Sequence, residues 1–372
     1  MIRGQRAERR GQKQKHSTVV GGGPSAPCAL RSALCDVAII GGGPAGSAAA
    51  LTLLRYSKLR PVIFERSSYD AWRVGETLSP GVFPLLQYLG AESVLTNRGQ
   101  RRAYATSAAW GSADVVSRDF LFTGGGDAWH LDRAQFDASL AQLVVARGGT
   151  VLTGTPFTAD TLGARYVIDA TGRHAAFART RGAHAIAEDT LTGLVAVFEG
   201  GQEAQTATLV EAVEDGWWYS ARLPENRLVV AFMTDADIIR TGHLHERETW
   251  LARLGATHPT RIRVADAQLV HGPVACPAHS QILEPVAGDG WIAAGDAAVG
   301  FDPLSSMGIG YAITSGIQAA RIAAGSLGGD KEHAQLFAAD VKKHYAAYLA
   351  RRKAYYAIEK RWPDSPFWKR RT

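Results

Sequence analysis

From Leu59 through Asp330 the 372-residue chain contains no lysine. The cations of that interval are arginines and histidines, and arginine stays protonated and lacks a nucleophilic amine. Cysteine is nearly as scarce. Cys28, Cys35 and Cys276 show no C-x-x-C spacing and cannot form a disulfide framework, although Cys28 and Cys35 bracket the entry to a first strand. No apolar core follows the basic N-terminus, and Arg9-Arg10 lacks the flanking pattern of a twin-arginine export signal, so the chain reads as cytoplasmic. No apolar run suits a membrane span, because Thr314, Ser315, Gln318 and Arg321 interrupt the best stretch, Tyr311 to Ala324. His243-Leu-His245, beside Glu246 and Arg247, lacks the further ligands a metal needs and reads as a solvated helix face; no metal site is expected. The formal charge of +6 is not a nucleic-acid signal. Residues 1–16 hold six lysines and arginines against one glutamate, and residues 351–372 hold eight against two acids, which leaves the body between them at −5. No nucleic-acid motif accompanies these basic ends, and no nucleic-acid partner is expected.

What the chain does contain begins at Asp36-Val-Ala-Ile-Ile-Gly-Gly-Gly-Pro-Ala-Gly46. Val37 to Ile40 read as a short buried strand, and an alanine-rich helix follows from Ser47 to about Leu54. Gly41 permits the tight turn, Gly43 lets a pyrophosphate approach the backbone, and Gly46 lets helix and strand pack closely. The backbone N–H groups at that helix start, after Pro44 and Ala45, would face the phosphates. Arg60-Pro-Val-Ile-Phe-Glu65 reads as a second strand ending in an acid placed for a ribose hydroxyl, with Arg66 beside it. Strand, glycines, helix, strand and acid in order predict a dinucleotide site. A worn copy at Val19-Val-Gly-Gly-Gly-Pro-Ser-Ala26 meets Pro27 at once and leaves no room for a helix. Residues 1–34 are therefore expected to be a disordered extension, such as an over-called start codon would produce.

Two later segments choose the dinucleotide. Ala164-Arg-Tyr-Val-Ile-Asp-Ala-Thr-Gly-Arg173 is a strand running into a small-residue turn, and Gly290-Trp-Ile-Ala-Ala-Gly-Asp-Ala-Ala298 is a strand ending in Gly-Asp. With these the chain resembles the FAD-containing aromatic hydroxylase superfamily, over about residues 35–330. The resemblance implies non-covalent FAD, with Glu65 on the adenosine ribose, Asp169 and Gly172 shaping the middle turn, and Asp296, after Gly295, on the ribityl chain. Arg133, in His130-Leu-Asp-Arg-Ala-Gln-Phe-Asp137, matches the family's arginine at a helix start beside the cofactor. Phe301-Asp-Pro-Leu-Ser-Ser-Met-Gly-Ile-Gly310 suits an irregular loop feeding a helix N-terminus. Pro303, Gly308 and Ile309 would then stand at the N1/C2-carbonyl edge of the flavin, where the helix's partial positive charge stabilises the reduced form. No second nucleotide fold is evident, so NAD(P)H must bind transiently or a separate reductase must deliver the electrons.

A narrower resemblance starts at Arg73-Val-Gly-Glu-Thr-Leu-Ser-Pro80, an R-x-G-E-[ST]-L-x-P segment similar to that of the flavin-dependent (tryptophan) halogenases and their relatives. There it lies beside the isoalloxazine, which implies such positions for Arg73, Gly75, Glu76 and Pro80; a loop and helix cap before Gly81 to Leu89 is the plain structural alternative. A halogenase also needs a lysine between flavin and substrate. The window from Arg101 to Gly111 offers only arginines, and the W-x-W-x-I-P signature is absent, since Trp217-Trp-Tyr219 gives W-x-Y. Halogenation is disfavoured on both counts. The tail Tyr355-Tyr-Ala-Ile-Glu-Lys-Arg-Trp-Pro-Asp-Ser-Pro-Phe-Trp-Lys-Arg-Arg371 resembles that of non-halogenating members, such as the flavoprotein maturases that oxygenate a partner's tryptophan to build tryptophylquinone. Its aromatics should anchor against the body while its basic residues stay wet.

The expected fold is α/β: a Rossmann-like FAD domain of the glutathione-reductase type, an inserted mixed β-sheet substrate domain and a C-terminal helical tail. The FAD domain would comprise residues 35–105, 130–185 and 282–328, the substrate domain 106–129 and 186–281, and the tail 329–372. Two strands around Pro224-Glu-Asn226 place Trp217 and Tyr219 on one face and Trp218 on the other. One face should be core and the other free to stack on flavin or substrate, unless both are core. The function expected is an FAD monooxygenase that oxygenates an electron-rich aromatic, a small molecule or a tryptophan of a protein or peptide, through a flavin C4a-hydroperoxide. Glu76 and Asp302 are the candidate catalytic acid/base groups, each equally readable as a loop or cap residue. A geranylgeranyl-reductase-like enzyme, a halogenase using arginine and a non-catalytic flavin-bound assembly protein are the alternatives.

Overall fold

The computed structural model describes residues 35–96, 99–120, 126–157, 163–201, 206–330 and 332–372. Cys28, the glycine-rich segment at Val19 and the extension expected over residues 1–34 lie outside the described residues.

A six-stranded sheet carries the glycine motif. Its order is Ala287–Gly288, Trp291–Ala293, Tyr166–Asp169, Val37–Ile40, Pro61–Phe64 and Thr150–Leu152, all parallel except the outermost pair Ala287–Gly288 and Trp291–Ala293. Val37–Ile40 is buried along its whole length, as a strand covered on both faces must be. The helix after the motif runs Pro44–Tyr56, with Pro44 in its first turn, where the missing N–H costs nothing. The predicted apolar stretch becomes the helix Gly308–Leu327. These two helices cross closely, because a Cβ on Gly316 would collide with the Ala45 backbone. Alanine and glycine in both sequences are what this crossing requires.

A seven-stranded sheet forms a second layer, in the order Ala267–Pro277, Leu191–Gly200, Arg227–Asp235, Gly216–Arg222, Thr208–Val213, Ala105–Ala109 and Val116–Asp119. Only Thr208–Val213 and Ala105–Ala109 pair in parallel. The hairpin over Trp217 turns at Glu225 and Asn226, with φ of 57° and 55°, the left-handed pair that matches strand twist. Both of its tryptophans are core. Trp218 stacks on Phe232 with ring centroids 4.7 Å apart, and Trp217 donates its indole N–H to the Tyr356 hydroxyl at 3.0 Å. Neither is left to stack on a ligand, while Tyr219 stays half-buried. His243 and His245 sit in a turn rather than on the helix face the sequence suggested, His243 with φ of 51°.

The last long helix, Glu332–Tyr356, buries Phe337, Val341, Tyr345 and Tyr348, spaced at three and four residues along one face. Its last residue, Tyr356, joins the core around Trp217 together with Phe367 and Trp368 from the segment beyond it. Tyr355 is exposed, unlike its neighbour. The expectation of wet basic residues fails at Arg371, which is buried with Asp235: one nitrogen lies 2.5 Å and the other 3.0 Å from the carboxylate. A carboxylate that deep needs a paired cation, and the tail supplies it. Among the described residues no helix is long and apolar enough to cross a membrane.

Candidate functional site

The glycine turn leaves room for a ligand at one point. Gly41, at φ 101°, and Gly46 are hemmed in by backbone, Gly41 by the Ala170 carbonyl and Gly46 by the Gly41 carbonyl. A Cβ on Gly43, by contrast, would meet no atom within 4 Å, so the side of the turn facing out of the protein is open. Glu65 ends the second strand below it. One oxygen accepts the Gly42 N–H at 2.7 Å, and the other accepts the Ser67 N–H and hydroxyl at 3.0 and 2.5 Å. Burial works to raise its pKa, but Ser67, Gly42 and Arg73 outweigh burial and hold the carboxyl below its usual value. Arg73 adds a third donor to the Ser67 side, whereas the oxygen that takes the Gly42 N–H has that donor alone and keeps an acceptor position for a ribose hydroxyl. The neighbouring Arg66 is exposed. Tyr69, which sequence reasoning missed, donates its hydroxyl to the Gly42 carbonyl at 2.9 Å and braces the turn.

On the other side of the strand Val37–Ile40, Asp169 is fully buried and holds the middle turn: it accepts from the Thr171 N–H, the Thr171 hydroxyl and the Ala178 N–H at 2.7–3.0 Å. Gly172 follows at φ 70°. Asp296 differs. Its side chain is 40% exposed and lies 3.6 Å from the Arg173 guanidinium. Crowding by protein pushes its carboxyl up, against the pull of Arg173 and Arg133. Arg173 was overlooked although it closes the D-x-T-G-R run; it also donates to the carbonyls of His279 and Phe301 at 2.6 and 3.1 Å. Gly295, at φ 62°, gives its N–H to the Ser315 hydroxyl at 2.8 Å, which ties the G-D turn to the helix Gly308–Leu327. Pro303 and Gly308 are exposed, and a Cβ on Gly308 would meet nothing within 4 Å. Ile309, one residue on, is buried.

The Arg73 to Pro80 segment passes between the two sheets. Arg73 and Arg133 share the buried Asp137, at 3.1 and 3.2 Å, and Arg73 also reaches Glu65 at 3.3 Å. Arg133 opens the helix Arg133–Ala146, capped by Asp132, and its guanidinium holds the carbonyls of Val74 and Gly75 at 2.8 and 3.1 Å. Asp137, the residue that organises both cations, was not singled out from sequence. Glu76 is buried, and one of its oxygens has no hydrogen-bond partner among the described residues. Desolvation raises its pKa to about 7 despite the nearby Arg133. Burial raises the pKa of Tyr219 and of Cys276, and the charge of Glu76 adds to the rise in both. Thr77 fixes the segment to the second sheet through a 2.6 Å hydrogen bond with the Tyr219 hydroxyl.

Asp302 is an anchor rather than an open carboxyl. It is buried, caps its own turn through the Leu304 N–H at 2.9 Å, and accepts from Arg352 Nε at 2.9 Å and the Tyr356 hydroxyl at 2.8 Å. Its N–H is in turn bonded to the Tyr348 hydroxyl at 2.8 Å. The long C-terminal helix is thereby fastened to the loop before Gly308, and the buried Asp302 carboxylate is committed to three donors.

The residues present fit FAD: an open glycine cradle, an acid below it, and a part-exposed Asp296 that follows Gly295, itself packed close to Ala45. No protein-family model matches the chain. LodB of Marinomonas mediterranea, named an FAD-dependent oxidoreductase, is 33% identical over 364 residues, covering 90% of this chain and 96% of that protein. The myxobacterial chondrochloren halogenase CndH superposes with a TM-score of 0.81 at 22% identity, over 91% of this chain and 86% of that one. QhpG, a peptidyl tryptophan dihydroxylase essential for tryptophylquinone cofactor biogenesis, superposes with a TM-score of 0.72 at 23% identity, over 91% and 78%. The chain belongs to the family of FAD-dependent oxidoreductases that includes LodB, and its fold is that of the flavin-dependent halogenases.

Proposed function

We propose that the protein is an FAD-dependent monooxygenase that inserts oxygen into an electron-rich aromatic ring, and that the ring is a tryptophan side chain of a partner protein. One observation carries the reading. The chain keeps the glycine cradle, the G-D turn and the R-x-G-E segment, yet has no lysine from Leu59 through Asp330 to activate hypohalous acid. The partner-protein part is supported by the likeness to QhpG, whose substrate is a peptidyl tryptophan.

When bound and reduced, FAD supplies the activation of molecular oxygen. The chain's own residues do the rest. The N–H groups at the start of helix Pro44–Tyr56 would hold the pyrophosphate over Gly43, Glu65 the adenosine ribose and Asp296 the ribityl hydroxyls. Arg133 would fix the Val74–Gly75 backbone beside the flavin, and the helix N-terminus at Gly308 would favour negative charge on its pyrimidine edge. Glu76, with a pKa near neutrality, is the group suited to take or return a ring proton at its free oxygen. Asp302, committed to Arg352 and Tyr356, is not assigned that role. Electrons would come from NAD(P)H bound transiently or from a reductase.

The test supplies the FAD-loaded protein with a reductant, oxygen-18 gas and either tryptophan-containing peptides or free indoles. Oxygen-18 in a product ring supports the reading, and its appearance in peptide alone supports the protein substrate. Reductant consumption without oxygen uptake, coupled to saturation of an isoprenoid double bond, would replace it with the reductase.

A further inference from the structure

We infer that the substrate ring lies on a ledge formed by Trp72, Tyr219, His271 and Cys276, and that it presents an edge N–H or O–H to the unpartnered oxygen of Glu76. The inference rests on the FAD assignment above and goes beyond it by naming what the ring must carry.

Trp72 and His271 meet across the two halves of the molecule with ring centroids 5.1 Å apart, tilted by 56°. Trp72, Tyr219 and Cys276 are all half-buried and lie against the core around Trp217. Two residues from Cys276, Val274 is 40% exposed on the same edge strand. The sheet face is otherwise closed by the chain's own Tyr356, Phe367 and Trp368, so this end is where apolar surface stays available. Aromatic and sulfur groups partly shielded from water favour a flat apolar ligand.

Glu76 supplies the polar half. It is 5% exposed, and one of its oxygens has no donor among the described residues. A buried acceptor left unmade is costly, and a ligand donor reaching it removes that cost. The Tyr219 hydroxyl is engaged with Thr77 at 2.6 Å and makes no hydrogen bond to that oxygen. The cation nearest the carboxyl, Arg133, is engaged by Asp137 and by two carbonyls. Glu76 thus carries, next to the Thr77–Tyr219 contact at the border of the ledge, an acceptor with no partner among the described residues, as a ring N–H or O–H requires.

The test titrates FAD-loaded protein with 3-methylindole and 1,3-dimethylindole, reading the change in flavin absorbance, and repeats it with p-cresol and 4-methylanisole. At pH 8.5, where Glu76 is ionised, the parent should bind the N–H ring about tenfold more tightly than its N-methyl counterpart, the size of one hydrogen bond to a charged group. A preference in the indole pair alone marks an indole substrate, and in the cresol pair alone a phenol. Glu76→Leu should keep its FAD and lose the preference. Glu76→Gln, which retains an acceptor, should keep a preference and guards against misfolding in the leucine variant. Equal binding of both members of both pairs to FAD-loaded parent, no binding of any ring, or a preference that survives in Glu76→Leu would overturn the ledge while leaving FAD in place. A protein that takes up no FAD would instead remove the functional reading beneath it.

Discussion

Replacing Glu76 with glutamine should change how stability depends on pH, by an amount the site sets. Burial raises the Glu76 carboxyl from 4.5 to about 7, with Arg133 pulling it down and Tyr219 and Cys276 as its other titratable neighbours. Between those two values the folded protein holds a proton that the unfolded chain has released. Stability must therefore fall as pH rises through this window, and the loss is complete above the folded value. The shift of about 2.5 units corresponds to roughly 3 kcal/mol, at about 1.4 kcal/mol per unit. Glutamine cannot ionise, so Glu76→Gln should escape the loss. Urea denaturation of parent and variant, with FAD saturating in both, measures the difference directly, since every other group titrates alike in the two. The variant's stability relative to the parent should rise by about 3 kcal/mol between pH 4 and pH 8.5. Parallel curves would show that Glu76 is not desolvated. A parent that gains on the variant as pH rises would show that a cation, and not burial, governs the carboxyl.

Gly43→Val should abolish retention of FAD with little loss of fold, because its Cβ would project into the open side of the turn with no protein atom within 4 Å; absorbance of the purified protein checks it. Asp296→Ala should weaken FAD binding by about 1.5–3 kcal/mol, roughly ten- to a hundredfold in Kd, measured by fluorescence titration. The double substitution Arg370→Ala with Arg371→Ala should destabilise the protein by about 3–5 kcal/mol in denaturant melts, because it removes both cations that hold the buried Asp235. A stability change within experimental error there would mean that the tail is dispensable.

The parts of the fold and of the cofactor site legible in the sequence are those fixed by backbone chemistry. Gly41 needs a positive φ, Gly46 needs close approach, and Asp169 binds donors two and nine residues along the same chain. Such constraints are local and leave a spacing to read. Asp302 was opaque because Arg352 and Tyr356 lie 50 and 54 residues away, and nothing near Asp302 marks it as their partner. Arg371 was misread for the same reason, its partner Asp235 being 136 residues upstream. The aromatic hairpin was half legible: alternation gives the two faces, but whether each is covered depends on what packs there. Trp250 covers one, and Tyr356 with Trp368 the other. Asp137 illustrates a further limit, since a buried carboxylate shared by Arg73 and Arg133 looks in sequence like any acid on a helix.

The most direct test of oxygenation without halogenation is a product mass spectrum from the FAD-loaded protein given reductant, oxygen, bromide and a tryptophan-containing peptide. A gain of one or two oxygen atoms on the tryptophan, unchanged by bromide, is the result expected from a scaffold with no lysine between Leu59 and Asp330. A bromine isotope doublet formed by the enzyme would contradict it and would mean that arginine can serve in lysine's place.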